Sequence, residues 1–358
     1  MFNYPIAIVA NSQGNLLVWD DLNARIRKIK TNIIVTTFAG GGNQATGTGT
    51  NVGFAGSHFS GITIDRNDTI SMFHDFGLYR IPSSAIVTRT NIPLLSPQGI
   101  CADSAGSIYI ADADANKIYR CTTNGGLNVF AGSGNSGYTD GNGIFTSFKY
   151  PTTLAADSAD NIYVWDSQNK LIRRIDQNQN VTTFAGKYGG NLITDGVGTN
   201  AGFDSIAQMC FDNFGNLILA ADTCIRKVSA TTNVVTVAGI FTDRNYSNGV
   251  GNVARFSLAY GVCFTGGTIY VADSSNQRIR SITNNPSAEP VLPANLQLNT
   301  YPGLQIVGTV GRTYQIQSAP DMNTWTTRAT VLLNSNSYLW IDQNPVSGNK
   351  FYRAVLLP

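Results

Sequence analysis

The sequence predicts an all-β fold: a six-bladed β-propeller over residues 1–283, a Pro-rich linker over 284–295 and a small β domain over 296–358. Three observations predict it. The stretch DNIYVWDSQNKLIRRI, Asp160 to Ile175, returns in close copies ending at Ile29, Cys121 and Ile282. The aspartate that closes its apolar run recurs at Asp20, Asp75, Asp112, Asp166, Asp222 and Asp273, at intervals of 55, 37, 54, 56 and 51 residues. Between Gly, Asn and Asp punctuation, apolar and polar residues alternate with the period of a strand, and no long amphipathic helix is legible.

Each copy carries four β segments. The first is short and small-residued, as in PQGICAD (Pro97 to Asp103). An apolar strand such as SIYIAD follows a Gly or Asn turn. A polar turn leads to an alternating third strand, NKIYRC or ARIRKI, and the fourth is VTTFAG or a variant, ending at Gly40, Gly132, Gly186 and Gly239. Four antiparallel strands every ~50 residues mark a propeller blade. One such sheet cannot bury both faces, whereas six packed about an axis can, leaving few exposed edges.

The units resemble NHL repeats, in the pattern P-x-G-[IV]-x-x-D, G-x-[IL]-[YL]-V-[AW]-D, N-x-[RK]-I-[RY]-[KR]-[IV] and V-T-T-[FV]-A-G. The connector DGNGIFTSFKYP (Asp140 to Pro151) is echoed by DGVGTNAGF (Asp195 to Phe203) and NGVGNVARF (Asn248 to Phe256). Bacterial NHL-repeat proteins use this kind of connector, and the resemblance implies an NHL-type propeller. The distance from the repeat Asp to the next Ile or Leu is six in four blades but three in blades two and five (Asp75 to Leu78, Asp222 to Ile225). These two face each other across a ring of six, so one side of the disc is expected to be lower there. Blade six has three strands and no VTTFAG before the chain enters TNNPSAEPVLPAN. Its outer strand is expected to come from elsewhere, either from an N-terminal piece that this chain lacks or from another chain.

In the tail, strand candidates are LQIVGT, TYQIQSA, WTTRATVLL, SYLWID and KFYRAVLL. Tyr314, Gln317, Ser318, Asp321, Trp325, Asp342, Phe351, Tyr352 and Arg353 resemble a C-terminal β-sandwich module (Ig/Fn3-like) that ends large secreted proteins of Verrucomicrobia-type bacteria. That resemblance implies a secreted or cell-surface location. The start, MFNYPIAIVANSQGN, shows no signal peptide, so the chain is expected to be either cytosolic or a mature or trimmed form, and the resemblance implies the second. In a domain this small, Trp325, Trp340 and Phe351 are expected to be buried.

Net charge is +2, so nothing points to nucleic acid. No apolar run approaches the ~20 residues of a membrane span. The five cysteines, Cys101, Cys121, Cys210, Cys224 and Cys263, form no CxxC pair. Cys101, Cys210 and Cys263 share one repeat position and read as buried fillers, with a Cys210–Cys224 disulfide as the alternative. Catalytic chemistry is poorly supplied. The chain has two histidines, His58 and His74, and one glutamate, Glu289, in the linker. A glutamate-based metal site or general base in the propeller is thereby excluded.

The repeat aspartates read as hairpin anchors that accept backbone N–H bonds. The third-strand arginines Arg27, Arg173, Arg226 and Arg280 are expected to pair with such aspartates, within or between blades. Asp112, Asp114 and Asn116 form the start of a calcium-loop pattern, D-x-D-x-N, whose later Gly and Glu are missing. No cofactor is expected, with calcium at these residues as the alternative. Trp19, His74 and Trp165, each read just before a repeat Asp, are expected to pack between blades. The sum is a non-enzymatic extracellular binding or scaffold protein. Its partner would be a protein or glycan, or other copies of itself through blade six or the C-terminal domain. The alternative is a metal-dependent propeller hydrolase or lyase with an Asp/Asn site at the channel mouth.

Overall fold

The structure is a computed structural model. It describes residues 1–54, 59–75, 77–190, 193–241, 243–283, 295–298, 303–307, 309–319, 324–334, 337–341 and 351–357. The chain divides into two compact units, Met1–Thr283 and Asn284–Pro358. Both are built from β-strands; the helical residues among those described are short 3-10 turns. No helix among them is long and apolar enough to cross a membrane.

In the first unit, six antiparallel sheets follow one another among the described residues. Their first strands are Pro5–Ala10, Phe59–Ile64, Pro97–Ala102, Pro151–Ala156, Gln208–Phe211 and Ala259–Thr265. These contact one another in cyclic order, and that of sheet one closes onto that of sheet six. The ring is a propeller. Second strands such as Leu16–Asp20, Ile108–Asp112 and Ile162–Asp166 are buried at every residue, because neighbouring sheets cover both faces. Outer strands such as Val35–Gly40 are exposed over their first half.

Near the axis the first strands approach closely. One column, facing the neighbouring sheet, reads Ala7, Gly61, Gly99, Thr153, Gln208 and Gly261. A Cβ on Gly99 would stand 2.1 Å from the Thr152 carbonyl oxygen. One on Gly261 would stand 3.0 Å from the Ala7 Cα. Farther out the sheets diverge and large rings fill the wedge. Trp19 stacks on Phe59 at 5.2 Å and meets Phe54 edge-on at 5.5 Å, and Trp165 meets Phe203 edge-on at 5.9 Å.

In sheets two, four and five the incoming connector adds a two-residue fifth strand on the outer edge, Gly47–Thr48, Gly141–Asn142 and Gly196–Val197. Sheet six has three strands among the described residues, ending in Arg278–Thr283.

The second unit holds two three-stranded sheets. One pairs Asn295–Leu298, Gly303–Val307 and Ser337–Ile341; the other pairs Thr326–Leu332, Thr313–Ala319 and Phe351–Leu356. Ile306 of the first shares a small buried cluster with Tyr314, Ile316 and Val331 of the second. Of the three aromatic residues expected in this core, Trp325 is only half-buried, its ring lying 4.2 Å from the Arg353 guanidinium. The side chains of Trp340 and Phe351 lie outside the described residues, as do Asp321, Asp342 and most of the linker at 284–295.

All five cysteines are free, so the Cys210–Cys224 disulfide is not formed; the Cys224 thiol instead donates to the Ala221 carbonyl at 3.4 Å. Burial pushes the Cys224 thiol up to about 12 and raises Cys101, Cys210 and Cys263 as well. These thiols should react with a disulfide reagent at pH 8 only after unfolding; prompt labelling of the native protein would contradict the packing. Gly99→Ala should lower stability in urea by about 1–3 kcal/mol through the collision with Thr152.

Candidate functional site at the mouth of the axial cavity

Four of the six repeat aspartates occupy one structural position, the last residue of the second strand: Asp20, Asp112, Asp166 and Asp273. All four are essentially without solvent exposure. Each accepts backbone N–H groups from the segment that leads into its own first strand. Asn3 donates to Asp20 at 2.7 Å, Leu95 and Ser96 to Asp112 at 2.9 and 2.8 Å, Lys149 to Asp166 at 2.6 Å and Ser257 to Asp273 at 2.8 Å. The next residues, Tyr4, Tyr150 and Leu258, take left-handed backbone conformations. Their carbonyls accept the N–H that follows the aspartate, from Asp21, Ser167 and Ser274. The aspartate is a clamp that bends the entering chain into the hub.

In sheets two and five the reading shifts by one residue. His74 pairs opposite Phe59 and Ala221 ends its strand, so these two stand where the others have Asp. Asp75 and Asp222 fall in two-residue turns, with φ of 43° and 56°. Such turns require positive φ, which Asp tolerates. Phe73 therefore occupies the column of Trp19 and Trp165, not His74, although all are buried between sheets.

The arginines do pair, and they do more. Arg27, Arg173 and Arg280 reach the clamp aspartate of their own sheet at 3.4, 3.1 and 3.0 Å. Arg173, wholly buried, also donates to the Ser147 and Thr139 carbonyls and to Asp140, and its guanidinium lies 5.4 Å from the Phe148 ring. Arg226, whose sheet lacks the clamp, bonds Gly202, Thr194 and Asp195 over Phe203. The arginine thus fastens each Asp-Gly-x-Gly connector to the sheet that follows it.

The calcium-loop residues are not brought together. Asp112 is the clamp; Asp114 is exposed; Asn116 accepts the Tyr150 N–H at 2.9 Å. Among the described residues no three His, Cys, Asp or Glu side chains are grouped as a metal would need.

What the repeats enclose is an axial cavity of about 1120 Å³. Its walls are small or apolar residues of the first strands, such as Ala7, Val9, Gly99 and Ala155. Besides Thr153, one polar side chain interrupts the column of small residues. Gln208 donates to the Ile8 carbonyl at 2.9 Å and accepts the N–H of Ile8 and Val262 at 3.3 and 3.2 Å, tying sheet five to sheets one and six.

At the end where the first strands begin, the lining changes to Tyr4, Tyr260, Lys149, Lys170 and Arg244, with Asp204 and Asp222 as the lining carboxylates. Lys170 holds Asp204 at 3.2 Å and Arg244 holds Asp222 at 3.1 Å. The Tyr4 hydroxyl is raised by burial and by the neighbouring Tyr260. None of these mouth residues was singled out from the sequence, apart from Asp222 as a repeat position. They sit in connectors and strand entries, where the copies differ from one another.

Asp166 generates a test of the clamp. Burial pushes its carboxyl from 3.8 up to about 6, against the pull of Asn169, the Lys149 N–H and Arg173. Between these values the folded chain keeps a proton that the unfolded chain has released. The stability from this group is therefore full below about pH 4 and falls as pH rises through 6. The difference in unfolding free energy between the native chain and Asp166→Asn should shrink over that window, by about 3 kcal/mol at most; a difference that ignores pH would refute the shift.

No protein-family model matches the chain. NHL repeat-containing protein 2 of Homo sapiens is 28% identical over 160 residues, 40% of this chain and 22% of its own length. The chain thus spans less than a quarter of that relative. Among solved structures, a Bacteroides thetaiotaomicron protein of unknown function shares 19% identity at a TM-score of 0.61, covering 78% of this chain and 69% of that one. An auxiliary nutrient binding protein of the same organism shares 15% at 0.62, with the same coverage. These structures share the fold and the human relative shares the repeat: the chain is a β-propeller whose repeats are similar to NHL repeats.

Proposed function

We propose that this protein is a non-enzymatic binding module, secreted or displayed at a bacterial cell surface, that takes a protein or glycan partner at the mouth of its axial cavity. Loop faces and an open blade edge offer further contact surfaces, including to other copies of the chain. The observation that carries this reading is the makeup of the mouth. Two tyrosines and an arginine rim a cavity with small apolar walls, and Tyr and Arg dominate the energetics of binding surfaces. Both lining carboxylates face a cation, Asp204 through Lys170 and Asp222 through one oxygen on Arg244. The clamps beneath hold the entry segments rigid, so little ordering cost is left for binding. The tail's likeness to modules of exported proteins supports the location, and a Bacteroides protein of the same fold is named an auxiliary nutrient binding protein.

A second reading, a propeller hydrolase or lyase, is favoured by one observation: Asp204, an unrepeated acid, and Asp222, a repeat acid displaced from the clamp position, both stand at one end of the axis. Glycan and peptide arrays probed with the full chain separate the two. Binding should appear, and Tyr260→Ala and Arg244→Ala should each weaken it by about tenfold. Metal-dependent turnover of a lactone that Asp204→Asn or Asp222→Asn abolishes would establish the enzyme instead.

A further inference from the structure

We propose that the axial cavity takes the end of a neutral oligosaccharide, whose hydroxyls bond to peptide groups on the inner edges of the first strands. This rests on the binding reading and names the ligand class. The first strand of each sheet pairs on one side only, with its second strand, and its other edge faces the axis. Ile8 and Val262 show which groups that edge presents. The Ile8 N–H and carbonyl both meet the Gln208 amide, at 3.3 and 2.9 Å, and the Val262 N–H meets it at 3.2 Å. Ile62, Ile100, Leu154 and Met209 stand opposite Met72, Ile110, Val164 and Leu219, in the register in which Ile8 stands opposite Val18. Their N–H and C=O groups therefore turn to the axis as well. Among the described residues no side chain or neighbouring sheet accepts these N–H groups.

A peptide edge open to a channel is satisfied by water or by a ligand. A ligand that displaces water keeps its affinity only where it reproduces the water's hydrogen bonds. Ile62, Ile100, Leu154 and Met209 offer as many donors as acceptors, so the array has no net charge with which to hold an ion. All the charged residues of the lining stand at the mouth. An extended peptide can ladder with one strand edge at a time and would leave the other edges without partners. A sugar ring fits better, because its hydroxyls project in several directions and each donates and accepts at once. Gln208 fills the side toward sheets one and six, so the ligand lies against sheets two to five.

The same edge comes round two residues on, about 7 Å along each strand, at Ala10, Ala102 and Ala156. At about 1120 Å³ the cavity exceeds a typical ligand pocket of roughly 300–1,000 Å³, so more than one sugar can enter. The rest of the glycan leaves past Tyr4 and Tyr260, whose rings suit the apolar face of a pyranose while their hydroxyls meet water.

The test uses the full chain and a panel of neutral oligosaccharides (cellohexaose, maltohexaose, xylohexaose and mannohexaose), with hexagalacturonate as the anionic control. Titration calorimetry should show that at least one neutral sugar binds. Its affinity should change by less than about twofold between ~50 and ~500 mM salt, a range over which screening weakens exposed ion pairs. Residue-resolved amide exchange should slow by about tenfold or more at Ile62, Ile100, Leu154 and Met209 on saturation, with little change at Ile8 and Val262, whose N–H groups are already bonded. In Gln208→Ala those two N–H groups lose their acceptor, and they should exchange fast in the free chain and slow with sugar. Sugar binding without protection of Ile62, Ile100, Leu154 and Met209 would overturn the channel and leave the mouth as the site. Binding of hexagalacturonate alone, abolished by salt, would overturn the neutral class. Failure of every oligosaccharide, beside peptide binding that Tyr260→Ala weakens, would overturn this inference while the mouth reading stands.

Discussion

The ring depends on how closely strands can approach one another at its axis. Sheets arranged radially have least room at the hub and most at the rim, and side-chain size follows that gradient. Ala7, Gly61, Gly99 and Gly261 stand where first strands nearly touch, and Trp19, Trp165, Phe148 and Phe203 fill the widening wedge. Only with small residues at the hub can the apolar second strands be covered on both faces, and that burial is the main term favouring the fold. Thr153 and Gln208 are the exceptions in the column. Gln208 is accommodated because its amide satisfies peptide groups of Ile8 and Val262 rather than colliding with them.

Polar residues then fix what burial leaves loose. A buried carboxylate without partners would be costly, and the clamp aspartates are each satisfied by backbone N–H groups, with a neighbouring Asn or Arg in most sheets. Their position at the strand end is what makes them useful. From there they reach the residues entering the hub and bend them through left-handed conformations that Tyr4, Tyr150 and Leu258 would not adopt unaided. The arginines do the same for the connectors. Repeated polar residues in this protein are scaffold, and the loops they hold still are where the copies are free to differ.

That division explains what could be read in advance. The number of repeats, the strand order within each and the exposed fourth strand follow from periodicity, because every blade solves the same burial problem. The clamp was misplaced in sheets two and five because counting from Asp to Asp assumes one hairpin length. Two-residue turns moved Asp75 and Asp222 one place beyond the strand, leaving His74 and Ala221 at its end. The mouth was not legible at all. Tyr4, Lys149, Asp204, Arg244 and Tyr260 come from five separate loops or strand starts and have no spacing that marks them as neighbours. Only closure of the ring brings them together. Gln208 could have been found, since aligning the first strands sets it alone among Gly, Ala and Thr.

Several departures from the repeat gather on one side of the ring. Gln208, Asp222, Arg244, Tyr260 and Tyr4 lie on sheets five, six and one or on the segments between them. Sheet six presents Tyr260 at the mouth on its first strand, which pairs with Thr268–Asp273. It is also the sheet whose first strand is tied by Gln208 to sheet five and whose Ser274 hydroxyl, just past the second strand, donates to the Pro5 carbonyl of sheet one. The sheet that lends Tyr260 to the mouth is thus also the one that closes the ring, so a change that loosens the closure acts on the mouth as well.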